Sequence, residues 1–185
     1  MTITESLSKE HSLILQAVAC LSNAKDKLER YERPPKEFFE MALEFAGSFA
    51  DKYHHFKEEF LMFGLLAQKK EGTLDGPISA LRFEHERCRE FVNKIANSLE
   101  GYTGGDEIAT VTLLENLAAY ISILKRHIYT EDHVFFNMVD QVLSENETNA
   151  LELQFQKEEE KMGGRDFFNT SEKLVFEMCF LLGKR

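Results

Sequence analysis

The chain has 185 residues, of which 43% are apolar, enough to fill one good-sized core and to exclude global disorder. Its 22 basic and 32 acidic residues leave a net charge of −10, which repels phosphate backbones and argues against a nucleic-acid partner. Three widely spaced cysteines, Cys20, Cys88 and Cys179, make neither a disulfide framework nor a CxxC site. They read as small buried hydrophobes in a reducing cytoplasm. No stretch approaches the roughly 18 apolar residues of a membrane span. The start "MTITESLSKEH" has no basic or apolar leader region. A cytoplasmic protein with no membrane partner is therefore expected.

In chain order, long runs rich in Leu, Glu, Lys, Ala and Phe read as helices, without strand-like alternation. The breaks are Pro34-Pro35, "EGTLDGP" at 71–77, "GYTGG" at 101–105 and "MGG" at 162–164. They divide the chain into helices over 4–30, 36–69, 77–100 and 106–142, then 145–161 and 170–183. Thr2-x-x-Glu5 and Ser144-x-x-Glu147 have capping-box spacing. Asp106 suits an N-cap and Pro77 a first helical position. Short links between long helices predict an all-α, up-down-up-down four-helix bundle over about 4–142. The helices over 145–183 read as an appended pair within the same domain, spanning 1–185.

Each bundle helix carries a histidine. The interval from His11 to His54 matches that from His85 to His127 to within one residue. The contexts match as well: "KEHSLI" (9–14) with "FEHERC" (83–88), and "HHFKEEFLMFG" (54–64) with "HIYTEDHVFFN" (127–137). The bundle thus reads as two copies of a helix hairpin, each carrying one histidine and then His-x3-Glu.

A helix advances about 100° per residue, which assigns faces. His11 and His85 share their arcs with Leu7, Ile14 and Val18, and with Ile78, Leu81 and Val92. On the fourth helix Glu131 lies about 40° from His127, inside an apolar arc with Val134 and Met138, whereas His133 falls outside it and Asp132 at its edge. On the second helix His54 and Glu58 share a side with Ala50 and Leu61. His55 and Glu59 share a side with Glu44 and Asp51, so they face water or support the inner groups. Phe38, Phe45, Phe49, Phe56 and Phe63 form a second apolar face opposite His54. The C-terminal helices are the expected cover for it; a homodimer contact is the alternative.

One inward histidine is ordinarily a core residue bonded to a neighbour. Four of them converging with two carboxylates is different, because buried carboxylates are costly without compensation. Bound metal supplies that compensation.

On these residues the chain resembles the hemerythrin-like (HHE cation-binding) family over about 8–140, in an H–HxxxE–H–HxxxE variant. The resemblance implies a bundle holding two iron ions, bridged by carboxylates and an oxo or hydroxo group. His11, His54, Glu58, His85, His127 and Glu131 are the implied ligands. His55, Arg89, Tyr120 and Asp132 are candidates for a supporting shell. Oxygen-carrying members have a fifth histidine four residues after the one on the third helix; here that position is Arg89. The absence implies a more symmetric, more reactive centre than a reversible carrier. The variant resembles bacterial iron-repair, nitric-oxide-linked and iron-responsive proteins. The expected function is a centre that reacts with or senses O2, peroxide or NO. The alternatives are an iron-delivery or iron-sensing module without turnover, and a reversible O2 carrier.

Overall fold

The computed structural model describes residues 2–69, Gly72 and 74–183. Within them the chain forms six helices and no strand. Helix α1 is Ile3–Glu29, α2 runs over 36–66, α3 is Asp75–Thr103, α4 is Glu107–Val142, α5 is Glu145–Lys161 and α6 is Gly164–Gly183. The first four make the expected bundle, with α3 against α4, α4 against α1, and α2 against both α1 and α3.

Local chemistry sets the ends. The Thr2 hydroxyl accepts from the Glu5 amide while Glu5 accepts from the Thr2 amide, closing a capping box on α1. Ser144 and Glu147 do the same for α5. The Asp106 carboxylate accepts from the amides of Ile108 and Ala109 and starts α4. The tight α3–α4 link depends on Gly101, where an added Cβ would lie 2.6 Å from the Ala109 methyl. Gly105 completes the turn with φ at +85°.

Two boundaries differ from the sequence reading. Pro77 lies in the first turn of α3 but not at its first position, because Asp75 and Gly76 are already helical. Proline is tolerated there, since first-turn amides have no intrahelical acceptor. Helix α6 begins at Gly164 rather than 170. Gly163 and Gly164, both at positive φ, complete the reversal within two residues, so "RDFFNT" is free to be helical.

The larger departure is inside α2 and α4. Helix α2 has α geometry only over Lys36–Phe45 and Phe63–Leu66; Ala46–His55 and Lys57–Met62 are π-helical. The Phe56 amide, for example, donates to the Asp51 carbonyl five residues back. Helix α4 has one such stretch, Glu131–Phe135. Each residue of a π turn advances less than an α residue, so side chains beyond it fall on a different face. The wide turns coincide with both His-x3-Glu units.

Two apolar clusters fill the bundle, one on each side of the histidine level. Ile14, Val18, Ala50, Cys88, Leu124 and Tyr120 belong to one, and Leu7, Met62, Leu81, Phe135 and Val139 to the other. A polar layer therefore divides the core. Helix α6 extends the first cluster with Val175, Met178 and Leu182 and lays Phe168 edge-on against Phe49, 5.6 Å between centroids. The phenylalanine face of α2 is thus covered at Phe38, Phe45 and Phe49, all buried. Phe63 is not on that face. The π turns carry it inward, stacked 6.1 Å from the His85 ring.

Two further expectations are corrected. Cys20 and Cys179 form a disulfide, with Cα atoms 5.4 Å apart, because α6 folds back along α1; only Cys88 is free. Helix α4 is long and apolar enough, by length and composition, to cross a membrane. In the fold it is one wall of the bundle, packed against α1 and α3.

Candidate metal centre

Five imidazoles, not four, meet two carboxylates at the polar layer. His11, His54, His55, Glu58, His85, His127 and Glu131 are each no more than 3% exposed. Their ligand-type atoms form two clusters, within each of which all lie within 4.8 Å of one another. One contains His55, Glu58, His85 and His127; the other contains His11, His54, Glu58 and Glu131. Glu58 belongs to both. Its carboxylate lies 3.4 Å from His54 Nε2 and 3.5 Å from His85 Nε2. Glu131 also spans the clusters, 3.2 Å from His11 Nε2 and 3.1 Å from His127 Nε2.

The sequence reading placed His55 toward water or in a supporting role. The structure corrects the first alternative. His55 is buried and lies parallel to His85, with ring centroids 3.9 Å apart. The cause is the π geometry of Ala46–His55, which narrows the angle between successive residues and lets His54 and His55 both face the axis. The same effect on α4 turns Val134 out to 51% exposure and brings Phe135 and Phe136 in.

Behind the imidazoles stands a ring of acids. Glu10 of α1 accepts from His54 Nδ1 of α2 at 2.9 Å. Glu59 of α2 accepts from His85 Nδ1 of α3 at 2.7 Å. Glu84 of α3 accepts from His127 Nδ1 of α4 at 3.0 Å. Asp132 of α4 accepts from His11 Nδ1 of α1 at 2.9 Å. Each helix supplies the acid for the next, and the ring closes. Each acid is anchored in turn: Glu10 by Lys57, Glu59 by Arg89, Glu84 by Arg126 and Asp132 by Ser8. A carboxylate on Nδ1–H fixes the tautomer and aims the Nε2 lone pair inward, the usual support for a metal-binding histidine.

Sequence reasoning named Asp132 as a supporting residue and left Glu59 either solvent-facing or supporting; it missed Glu10 and Glu84. The signal was present. Glu10 and Glu84 each precede the lone histidine of their hairpin, and Glu59 and Asp132 each follow its glutamate. Arg89 pairs with Asp51 and Glu59, both at 2.7 Å, and with Glu86 at 2.6 Å. Tyr120 is buried in the core beside Cys88. His133 is exposed and bonded to the Tyr129 carbonyl.

Electrostatics divides six of the seven groups. Burial opposes charge on His11, but Asp132, hydrogen-bonded to its Nδ1, and the nearby Glu131 carboxylate outweigh it and push its pKa up to about 10. Burial likewise opposes charge on His127, and Glu131 and Glu84 push it up to about 10. Burial, then the neighbouring cations, hold His54 and His85 well below the usual imidazole value. Burial and the charge of Glu131 lift the Glu58 carboxyl well above the carboxylate range. Burial would also raise Glu131, but His127 and His11 pull it below that range. The metal-free layer is therefore biased toward the protonated forms of His11, His127 and Glu58. Ligation requires these groups deprotonated, so loading must release protons and weaken as pH falls. Titrating the metal-free protein with a divalent cation at pH 7 in weak buffer is expected to release protons. Release of none would contradict this protonation pattern.

Whether a metal fits is tested by the unpartnered atoms. Eight buried side-chain atoms lack a hydrogen-bond partner among the described residues: Nε2 of His11 and His54, both ring nitrogens of His55, and both oxygens of Glu58 and Glu131. Each such atom costs about 1–3 kcal/mol, and native proteins leave few of them. All eight belong to the two clusters. Nitrogen and oxygen donors of this kind, converging and otherwise unsatisfied, suit first-row transition metals.

The family described as Hemerythrin HHE cation binding domain matches residues 2–139. Among curated proteins, the chain is similar to uncharacterized protein Mb2018 of Mycobacterium bovis and to uncharacterized proteins Rv1995 and MT2051 of Mycobacterium tuberculosis. Each is 26% identical over 170 residues, covering 92% of this chain and 66% of the relative. The chain thus spans just under two thirds of the length of these relatives. No solved structure matches it.

Proposed function

The chain belongs to the hemerythrin HHE cation-binding family, and from that premise we propose that it holds two iron ions that react with or sense O2, peroxide or NO. The observation that carries the reading is the set of eight unpartnered ligand atoms, gathered in two clusters that share Glu58. His55, His85 and His127 would hold one ion, His11 and His54 the other, with Glu58 and Glu131 between them. Iron so held supplies one-electron redox chemistry and positions at which a small molecule can bind.

The chain's own contribution is threefold. The acid ring keeps the Nδ1 protons in place, so each Nε2 stays available as a donor. The apolar clusters on either side keep bulk water from the layer. The two glutamates supply negative charge that offsets the cations in a medium of low dielectric.

The test is metal analysis of purified protein, followed by optical spectra under O2, peroxide and NO. About two irons per chain and a spectral change with one of these molecules are expected. Stoichiometric zinc binding with no response to any of them would sink the proposal. His55 favours a second reading. Arg89 stands where oxygen carriers have a fifth histidine, but His55 supplies a fifth imidazole from another helix. Three imidazoles on one side and two on the other is an unsymmetric donor set, which removes the argument against a reversible carrier. A stable oxygenated form that releases O2 under vacuum would decide for that reading.

A further inference from the structure

A pocket of about 240 Å³ opens between α2 and α3 and is lined in part by His55. Four other clefts on the described surface are lined by none of the seven candidate ligands. Most of the lining is small or apolar, with Ala46, Gly47 and Ala50 from α2, Cys88 and Val92 from α3, and Tyr120 of α4; Asp51, Arg89 and Asn93 are its polar members beside His55. The small residues lie in the same π stretch that turns His55 inward. His55 is buried; its Nε2 has no partner and its Nδ1 has only the Asp51 carboxylate, 3.6 Å away. We propose that this pocket is the port through which a small uncharged molecule of diatomic size reaches the metal pair, arriving at the His55 side.

The charge at the mouth selects the class. Arg89 is the cation there, and it is already bonded by Asp51, Glu59 and Glu86. Three carboxylates around one guanidinium leave a negative balance, which repels anions, while the apolar walls offer them no solvation. A neutral diatomic meets neither penalty.

Gly47 gives the means of testing this. An added Cβ at Gly47 would meet nothing within 4 Å, so a side chain can start into the pocket there without a clash at its first atom. Glycine is also the poorer helix former, so Gly47→Ala, Gly47→Leu and Gly47→Phe should retain the fold. The proposal rests on the metal reading, and the experiment separates the two. Xenon-pressurised crystals of the metal-free protein should hold xenon in the pocket of the wild type and not of Gly47→Phe. In iron-loaded protein, stopped-flow association of NO should slow in the order Ala, Leu, Phe, by about tenfold or more for Phe. Iron content should be unchanged. Azide association should rise with ionic strength, as for an anion crossing a negative mouth, and that of NO should not. No xenon in the wild type, an unchanged NO rate in Gly47→Phe, or azide association that falls with salt would overturn the port. Wild-type protein that holds no iron would instead sink the metal reading, and xenon would still decide the pocket.

Discussion

His55→Ala is expected to lower bound metal from about two ions per chain to about one, with affinity at the affected position reduced by at least about 100-fold. The affected position is the one also served by His85 and His127. Metal analysis after dialysis against a weak chelator reads the stoichiometry, and cobalt absorption reads the loss of one imidazole. His133→Ala is the matched control, since His133 is exposed and bonded to a backbone carbonyl. The metal-free fold should tolerate His55→Ala. The substitution opens space beside His85 but removes a buried Nε2 without a partner and an Nδ1 that has only Asp51 at 3.6 Å. Helical phase in ideal α geometry leads to the opposite expectation, little loss of metal. Equal loading of His55→Ala and His133→Ala would return His55 to a supporting role.

Glu58→Leu should act on both positions, because Glu58 is the member common to the two clusters. Metal content is expected to fall to near zero. The stability of the metal-free protein should move the other way, up by about 1–4 kcal/mol in urea unfolding, since an apolar side chain replaces a buried polar group that lacks partners. Glu58→Gln should lose metal as well but show no such gain, because the amide is as unsatisfied as the carboxyl. The opposed signs are the informative result. Loss of metal with loss of stability in Glu58→Leu would mean that the carboxyl serves the fold rather than a cation.

Much of the fold was legible because its signals are local. Thr2, Ser144 and Asp106 cap helices by contacts within a few residues, and the glycine and proline breaks lie where the chain turns. The internal repeat located His11, His54, His85 and His127, and the structure brings them to one layer. The acid ring was written in the same repeat, as Glu-His and Glu-Glu or Glu-Asp pairs, but each acid serves a histidine on another helix. Reading it needs the helix order as well as the motif. The π stretches were not legible. Nothing in "AGSFADKYHH" separates a four-residue from a five-residue hydrogen-bond step; packing around the polar layer decides it. Phe63 and Val134 were misassigned for that one reason, as was the water-facing alternative for His55. The Cys20–Cys179 bond was hidden differently, since their separation of 159 residues is closed only when α6 returns along α1.

The polar layer that divides the core has a consequence for how the molecule is tied together. Without metal, two apolar blocks are joined across a seam that holds unsatisfied donors, and its cohesion comes from the four hydrogen bonds of the acid ring. Filled, the same seam becomes a network junction of functionality four, with a strand from each of α1, α2, α3 and α4 fastened at one point. Such a junction closes three successive chain loops at once, from His11 to His54, on to His85, and on to His127. Closing loops of that length restricts the unfolded chain as cross-links do. Cation binding and the stability of the bundle are then linked, and a chelator is expected to lower the protein's resistance to urea while leaving it folded.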